Sequence, residues 1–354
     1  MKYLRIFEKE SDYTQYVGGG GDDYVTPHVA LIKDNYDVKY QKYEPDYTND
    51  YLTIEALEDE FNVTFTKNMP RSININNDTL YYSLDCNNWV ELPFNTSTPY
   101  INAGDKIYFK GMLENASTND SIGMFVISKR FNLSGNIMSM IFGDDAQGKT
   151  DLTGYNVNFQ QLFQNTPVVN VSTNFLPATT LTEGCYNSMF YDCTSLVTAP
   201  ELPATTLAPW CYTQMFEGCS SLVTAPELPA TTLTENCYGG MFYNCTSLET
   251  APELPATTLA PYCYSNMFDR CTSLTKAPEL PATTLVESCY SGVFYGCTLL
   301  NYITMLATDI SANSCLIDWV SGVSSTGTFV KNAAATWNVT GVTGIPSGWT
   351  IQLQ

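Results

Sequence analysis

The sequence predicts a multidomain protein: a small all-β sandwich, then an α/β solenoid of 26-residue repeats on a parallel sheet, with terminal caps. Three observations carry that expectation. The nonapeptide APELPATTL stands at 199–207, 225–233, 251–259 and 277–285, always 26 residues apart. Cysteine keeps the same step in two columns: Cys185, Cys211, Cys237, Cys263, Cys289 and Cys315, and Cys193, Cys219, Cys245, Cys271 and Cys297. Ahead of the repeats, residues 51–130 alternate apolar and polar in short runs separated by polar turns, the pattern of strands.

Composition bounds what such a chain can do. Its 354 residues allow two or three domains and a sizeable core. With 15% charged and 13% aromatic residues it is not a disordered composition. The formal net charge of -20 makes nucleic acid and anionic membrane surfaces poor partners. Past Lys149 only Arg270, Lys276 and Lys331 are basic. No run approaches the ~20 apolar residues of a membrane helix. The opening MKYLRIFEKESDY has no apolar signal core, so the expectation is cytoplasmic synthesis without the usual export route.

Taken in order, residues 1–50 are polar and Tyr-rich, with a flexible break at Gly18–Gly21. They read as an anchoring arm that orders against a partner. In 51–130, FNVTFT places Phe61, Val63 and Phe65 on one face. TLYYSLDCNNWVELPF reads as a hairpin turning at Asp85–Asn88, and DKIYFKG and GMFVISK add two strands. This is the expected sandwich. Residues 131–325 form the expected solenoid, with 131–150 covering its first turn. Residues 326–354 form the closing cap, where Trp349, Ile351 and Leu353 alternate.

One unit reads L-P-A-T-T-L-x3-C-Y-x2-M-F-x2-C-T-S-L-x2-A-P-E, starting at Leu176, Leu202, Leu228, Leu254 and Leu280, with a degraded copy from Leu306. Its length lies in the range of leucine-rich repeats. Thr-Ser-Leu-x-x-Ala-Pro reads as a short parallel strand that proline ends. Cys-Tyr-x-x-Met-Phe sets apolar residues at i, i+1, i+4 and i+5, the inward face of a short helix. Stacking would put each position ~4.8 Å from its own copy. Thr205-Thr206, Thr231-Thr232 and Thr257-Thr258 could then form hydroxyl ladders. Glu201, Glu227, Glu253 and Glu279 read as exposed carboxylates or, alternatively, as a cation-binding stripe. The cysteines read as small buried hydrophobes in a chain made reduced.

Catalytic constellations are missing from the pattern. The single histidine, His28, leaves no triad to assemble within the repeats. Gly18–Gly21 lacks the lysine of a phosphate loop. Asp144-Asp145 reads as a turn, or as half of a carboxylate pair. The expectation is a non-enzymatic protein with no cofactor and no metal. Binding is the better expectation, and the variable positions of a strict repeat locate it. The residue before the first cysteine runs Gly184, Trp210, Asn236, Tyr262, Ser288, and the residue after Met-Phe runs Tyr191, Glu217, Tyr243, Asp269, Tyr295. Trp210, Tyr262, Tyr191, Tyr243 and Tyr295 are therefore candidate ligand contacts, since exposed Trp and Tyr stack on sugar rings. Ordinary drift at unconstrained sites explains the same variation.

MFYNCTSLETAPELPATTL resembles the BspA-like class of leucine-rich repeats, and the likeness extends over about 150–325. YVTPHVALIKDNYDVKYQ (24–41) resembles an N-terminal module of proteins from crAss-like and other Bacteroidales phages and prophages. GTFVKNAAATWNVTGVTGIPSGWTI (327–351) resembles the ending that follows such repeats there. The resemblance implies a virion structural protein, in head or tail fibre or decoration, held to other virion proteins by its arm and touching a host-surface glycan or protein. It also implies a homo-oligomer, with a trimer common among such fibres. A bacterial adhesin or an interaction scaffold of the same repeat class is the alternative.

Overall fold

The computed structural model describes residues 51–67, 78–113, 122–155 and 158–354, and the backbone of 29–34 and 37–42. Residues 1–47 and 48–354 form two compact units. In the first, β1 (Val29–Asp34) pairs antiparallel with β2 (Asp37–Lys42). Gly18–Gly21 and His28 lie outside the described residues.

The larger unit is built of strands and turns in several sheets, none closed into a barrel. Its β-rich part holds β3 (Leu52–Ala56), β4 (Thr64–Thr66), β5 (Thr79–Ser83), β6 (Val90–Glu91), β7 (Lys106–Met112), β8 (Met124–Val126), β9 (Phe131–Ser134) and β10 (Val168–Val171). Six of them form one sheet in the order β10-β9-β3-β7-β5-β6, and β4 pairs with β8. The alternation read from FNVTFT is real: Phe61, Val63 and Phe65 are all buried. The hairpin turns where expected. The Asp85 carboxylate accepts bonds from the Asn87 and Asn88 backbone N–H groups, which hold it well below the usual carboxylate range. Asp144 sits in a short turn, tied to Lys110 at 2.7 Å and to the Tyr51 hydroxyl at 2.8 Å, so its carboxylate joins strand to turn.

Residues 131–150 extend the sheet as well as starting the repeats. β9 pairs antiparallel with β3 on one side and parallel with β10 on the other. From β10 the parallel pairing passes on by single bridges, Asn170 to Thr198, Thr224 to Thr250 and Lys276 to Tyr302. Pro200, Pro226, Pro252 and Pro278, just after Thr198, Thr224, Thr250 and Lys276, keep the paired stretch short. A second line of bridges joins Thr180 to Thr206 and Thr232 to Thr258. There the threonine pairs meet through backbone, and the Thr179 and Thr308 hydroxyls turn to carbonyls of the preceding repeat.

The expected short helices are replaced by a chain of turns. The one α-helix among the described residues, α1, spans Ser139–Phe142, outside the repeat pattern. In the repeat that starts at Leu202, the N–H groups of Thr213, Met215, Glu217 and Cys219 bond three residues back. Those of Tyr212, Gln214, Phe216 and Gly218 instead bond carbonyls of the following repeat, at 2.8–3.0 Å. Every fourth residue, here Trp210, Gln214 and Gly218, has a positive φ. A helix would spend all these donors within one segment. Alternation spends half of them on stacking and satisfies the backbone between repeats. The apolar spacing i, i+1, i+4, i+5 suits both structures, because a four-residue turn returns the same pair inward at each step.

Stacking makes the core. Phe163, Phe190, Phe216, Phe242, Phe268 and Phe294 lie in a row with ring centroids 5.7–5.8 Å apart and planes within 9° of parallel. Tyr186, Tyr212, Tyr238, Tyr264 and Tyr290 make a second row at 5.7–5.9 Å. The spacing exceeds that of paired strands because these rows sit on turns. The phenylalanine row runs back through Phe125 to Phe65 and Phe109 and forward through Trp319 to Phe329, so one aromatic spine joins both ends of the unit.

The second cysteine column has a specific task. Cys193, Cys219, Cys245, Cys271 and Cys297 each donate S–H to the phenylalanine carbonyl of the repeat before, at 2.9–3.2 Å. The eleven cysteines other than Cys86 are buried thiols outside any disulfide. Burial pushes Cys185, Cys193 and Cys237 up to about 12, so almost no thiolate exists near neutral pH. Iodoacetamide should therefore modify the half-buried Cys86 in the native protein and reach the other eleven cysteines only after denaturation, as counted by intact mass. Rapid native labelling of several thiols would contradict the stacking.

At the C-terminal end, β11 (Tyr302–Met305), β12 (Thr328–Lys331) and β13 (Thr350–Leu353) form a parallel sheet. Three indole N–H groups tie it down: Trp319 to Gly344 O, Trp337 to Ala307 O and Trp349 to Ser324 O, at 2.8–2.9 Å. The ending was expected to cover the last open edge. β13 does cover β12, and it leaves its own exposed residues as the new edge. No helix among the described residues is long and apolar enough to cross a membrane.

Candidate functional site

The turn face supplies the candidate site, because several of its left-handed positions, Trp210, Tyr262, Asn266 and Arg270 among them, leave their side chains exposed. The first such position in each repeat is held by Gly184, Trp210, Asn236, Tyr262, Ser288 and Ser314. Glycine and asparagine accept positive φ at little cost, whereas a bulky side chain there is an outlier worth about 1–2 kcal/mol of strain. Trp210 has φ 56° and Tyr262 φ 60°, and they are 37% and 39% exposed. They share one column, two repeats apart, with Asn236 between them.

Three residues beyond the second left-handed position runs another column, Tyr191, Glu217, Tyr243, Asp269, Tyr295, in which tyrosine alternates with acid. Tyr295 is 38% exposed, and Tyr191 and Tyr243 are half-buried. The five aromatic candidates thus fall in two columns, seven residues apart in sequence, and none stacks on another candidate. Glu217 accepts a bond from Gln214 Nε2 at 2.7 Å, and burial raises its pKa. Charge from Glu217 in turn raises that of Tyr191.

Where repeats meet near the C-terminal end of this column the surface opens into a cleft of about 260 Å³. Asn266, Asp269, Arg270, Gly292, Tyr295 and Asp318 contribute to its wall. Gly292 stands in this wall between Asn266 and Asp318, its column mates in the adjoining repeats, and the Asn266 amide lies close over it. Asp269 is only 8% exposed, and its Oδ1 is buried with no hydrogen-bond partner. Arg270 Nε lies 3.9 Å from that oxygen, beyond hydrogen-bond length. Burial pushes Asp269 up to about 6 against the pull of Arg270. Arg270 is itself held by the Tyr243 hydroxyl and lies over the Tyr243 ring, 5.4 Å from its centroid.

Sequence reasoning found Tyr295 and missed Asp269, Arg270 and Gly292. The available signal was the alternation of tyrosine and acid, together with a glycine flanked by Asn266 and Asp318 at 26-residue spacing. Glu201, Glu227, Glu253 and Glu279 are exposed, away from this cleft's wall. Among the described residues no group of three or more His, Cys, Asp or Glu converges as a metal site would.

Comparison with protein families, with curated proteins and with solved structures finds no match.

Changing Trp210 or Tyr262 to glycine separates contact from scaffold. Relief of the left-handed strain should offset the flexibility that glycine adds to the unfolded chain. Each variant should melt within about 1 kcal/mol of the parent in a denaturant titration. A loss of several kcal/mol would make these rings structural.

Proposed function

We propose that the chain is a non-enzymatic structural and display protein of a phage particle, in a head or tail fibre or decoration. Its stacked repeats form a leucine-rich-repeat solenoid that faces outward and adheres to a glycan or protein of the host surface. Residues 1–50 are the arm that contacts other virion proteins. The observation that carries the adhesive part is the placement of Trp210 and Tyr262, two large exposed rings in a strained backbone conformation that glycine or asparagine would fill without strain. Strain kept at an aromatic that leaves more than a third of itself exposed points to a use for the ring. The likeness of residues 24–41 and 327–351 to phage-encoded modules supports the display part.

Mass spectrometry of gradient-banded particles from the source tests it. The expected result is this chain at a fixed ratio to the major capsid protein, the copy number then distinguishing vertex, collar and tail. Recovery in the cell fraction alone, with none on clean particles, overturns the virion reading in favour of a bacterial adhesin or scaffold.

A further inference from the structure

We propose that the cleft between Asn266 and Asp318 is a subsite for one pyranose ring of a neutral glycan, gripped through a vicinal diol by Asp269 and Arg270 and stacked on Tyr295. The proposal rests on the reading of the turn face as adhesive, and it names the ligand class and the residues that read it.

Size comes first. At about 260 Å³ the cleft is smaller than the ~300–1,000 Å³ of sites for drug-sized ligands, which suits a single ring. Chemistry comes second. Asp269 Oδ1 lacks a donor and is buried, a state that costs free energy until a donor arrives. Asp269 lines the cleft, and a rotation of its carboxylate that brings this oxygen to the surface would let a sugar hydroxyl donate to it. The neighbouring hydroxyl oxygen of a diol is an acceptor, and the Arg270 guanidinium beside Asp269 is the matching donor. Asn266 and Asp318 flank the notch and can hold further hydroxyls. Tyr295 lines the cleft and is partly exposed, so its ring can lie against a pyranose.

Charge excludes the nearest competitors. An anionic sugar would meet Asp269 and Asp318 with one arginine to offset them. A metal cation would meet Arg270, 3.9 Å from the oxygen it needs. Pre-organisation also favours the site, because Tyr243 already holds Arg270.

The test uses the full chain, with saturation-transfer NMR and titration against methyl α-mannopyranoside, methyl β-glucopyranoside and methyl β-galactopyranoside. At least one should bind saturably, with Kd in the millimolar range usual for so small a contact. Asp269→Asn removes the charged acceptor and should weaken that binding about tenfold or more. Gly292→Asn keeps the carboxylate and fills the notch. Asparagine tolerates the positive φ of position 292, and a Cβ there would lie 2.1 Å from Asn266 Oδ1, so the flexible Asn266 amide must swing aside while the fold persists and binding disappears. Tyr100→Ser should leave binding intact, since Tyr100 is exposed and lies outside the cleft wall. Three results overturn the proposal: no binding of any of the three glycosides, binding unchanged in both Asp269→Asn and Gly292→Asn, or a response to calcium chloride with none to sugar. Glycoside binding by a chain absent from particles would sink the virion reading and leave this one standing.

Discussion

Phe242→Ala is expected to lower stability by about 3–5 kcal/mol, the cost of removing a buried ring whose surroundings cannot close on the space. Phe242 is stacked on Phe216 and Phe268 at 5.7 Å on both sides, so two stacking contacts go with one residue. Its backbone already serves two neighbours: the N–H bonds Met267 O, and the carbonyl accepts the Cys271 thiol at 3.1 Å. Those bonds fix the repeat spacing and prevent collapse into the gap. Bonds and stacked rings run from each repeat to the next, so a weak central interface should also divide the cooperative unit. A urea titration followed by circular dichroism should show an earlier, broader or two-step transition. Tyr238→Phe is the matched control. The Tyr238 hydroxyl is buried with no partner, so its removal should leave stability unchanged or slightly higher. A loss below about 1 kcal/mol in Phe242→Ala would show that the phenylalanine row does not carry the stack.

The period told which residues share a row, because a position that recurs every 26 residues must meet its own copy. It could not tell what lies between rows. Cys185, Tyr186, Met189 and Phe190 fit the inward face of a helix, and in the structure they fit a four-residue turn. A sign of left-handed backbone would have separated the two, and glycine gives that sign only where it occurs. Here Trp210, Gln214, Tyr262 and Arg270 take the same conformation as Gly184 and Gly292, held there by bonds to the next repeat that no local pattern reveals. The hairpin after Thr79 was legible because Asp85 makes its own turn. The parallel pairing of β9 with β10 was not, since it joins residues far apart in sequence. At the candidate site the aromatics stood out against a strict repeat, while Asp269 looked like drift until its burial was seen.

The second large effect is expected at Gly327, where Gly327→Val should detach the C-terminal sheet while leaving the repeats folded. A Cβ at 327 would lie 2.4 Å from Asn301 O and 2.8 Å from Trp349 Cε2, and the first of these is backbone that cannot swing away. On either side, Thr328 N–H bonds Asn301 O at 2.8 Å and Thr350 N–H bonds Gly327 O at 2.9 Å. Valine must therefore part β12 from β11 or lift Trp349 from its place. Overpacking alone costs about 1–3 kcal/mol. Each backbone bond lost with it adds roughly 0.5–1.5 kcal/mol. Trp319, Trp337 and Trp349 all depend on this region for their indole bonds, so tryptophan emission should shift to the red and protease should cut within 326–354. The cysteines from Cys185 to Cys271 should stay closed to iodoacetamide, because a nearest-neighbour array confines damage to its end. Exposure of those thiols in the same variant would mean that the ending holds the whole stack together, and that the repeats have too little stability to stand uncapped.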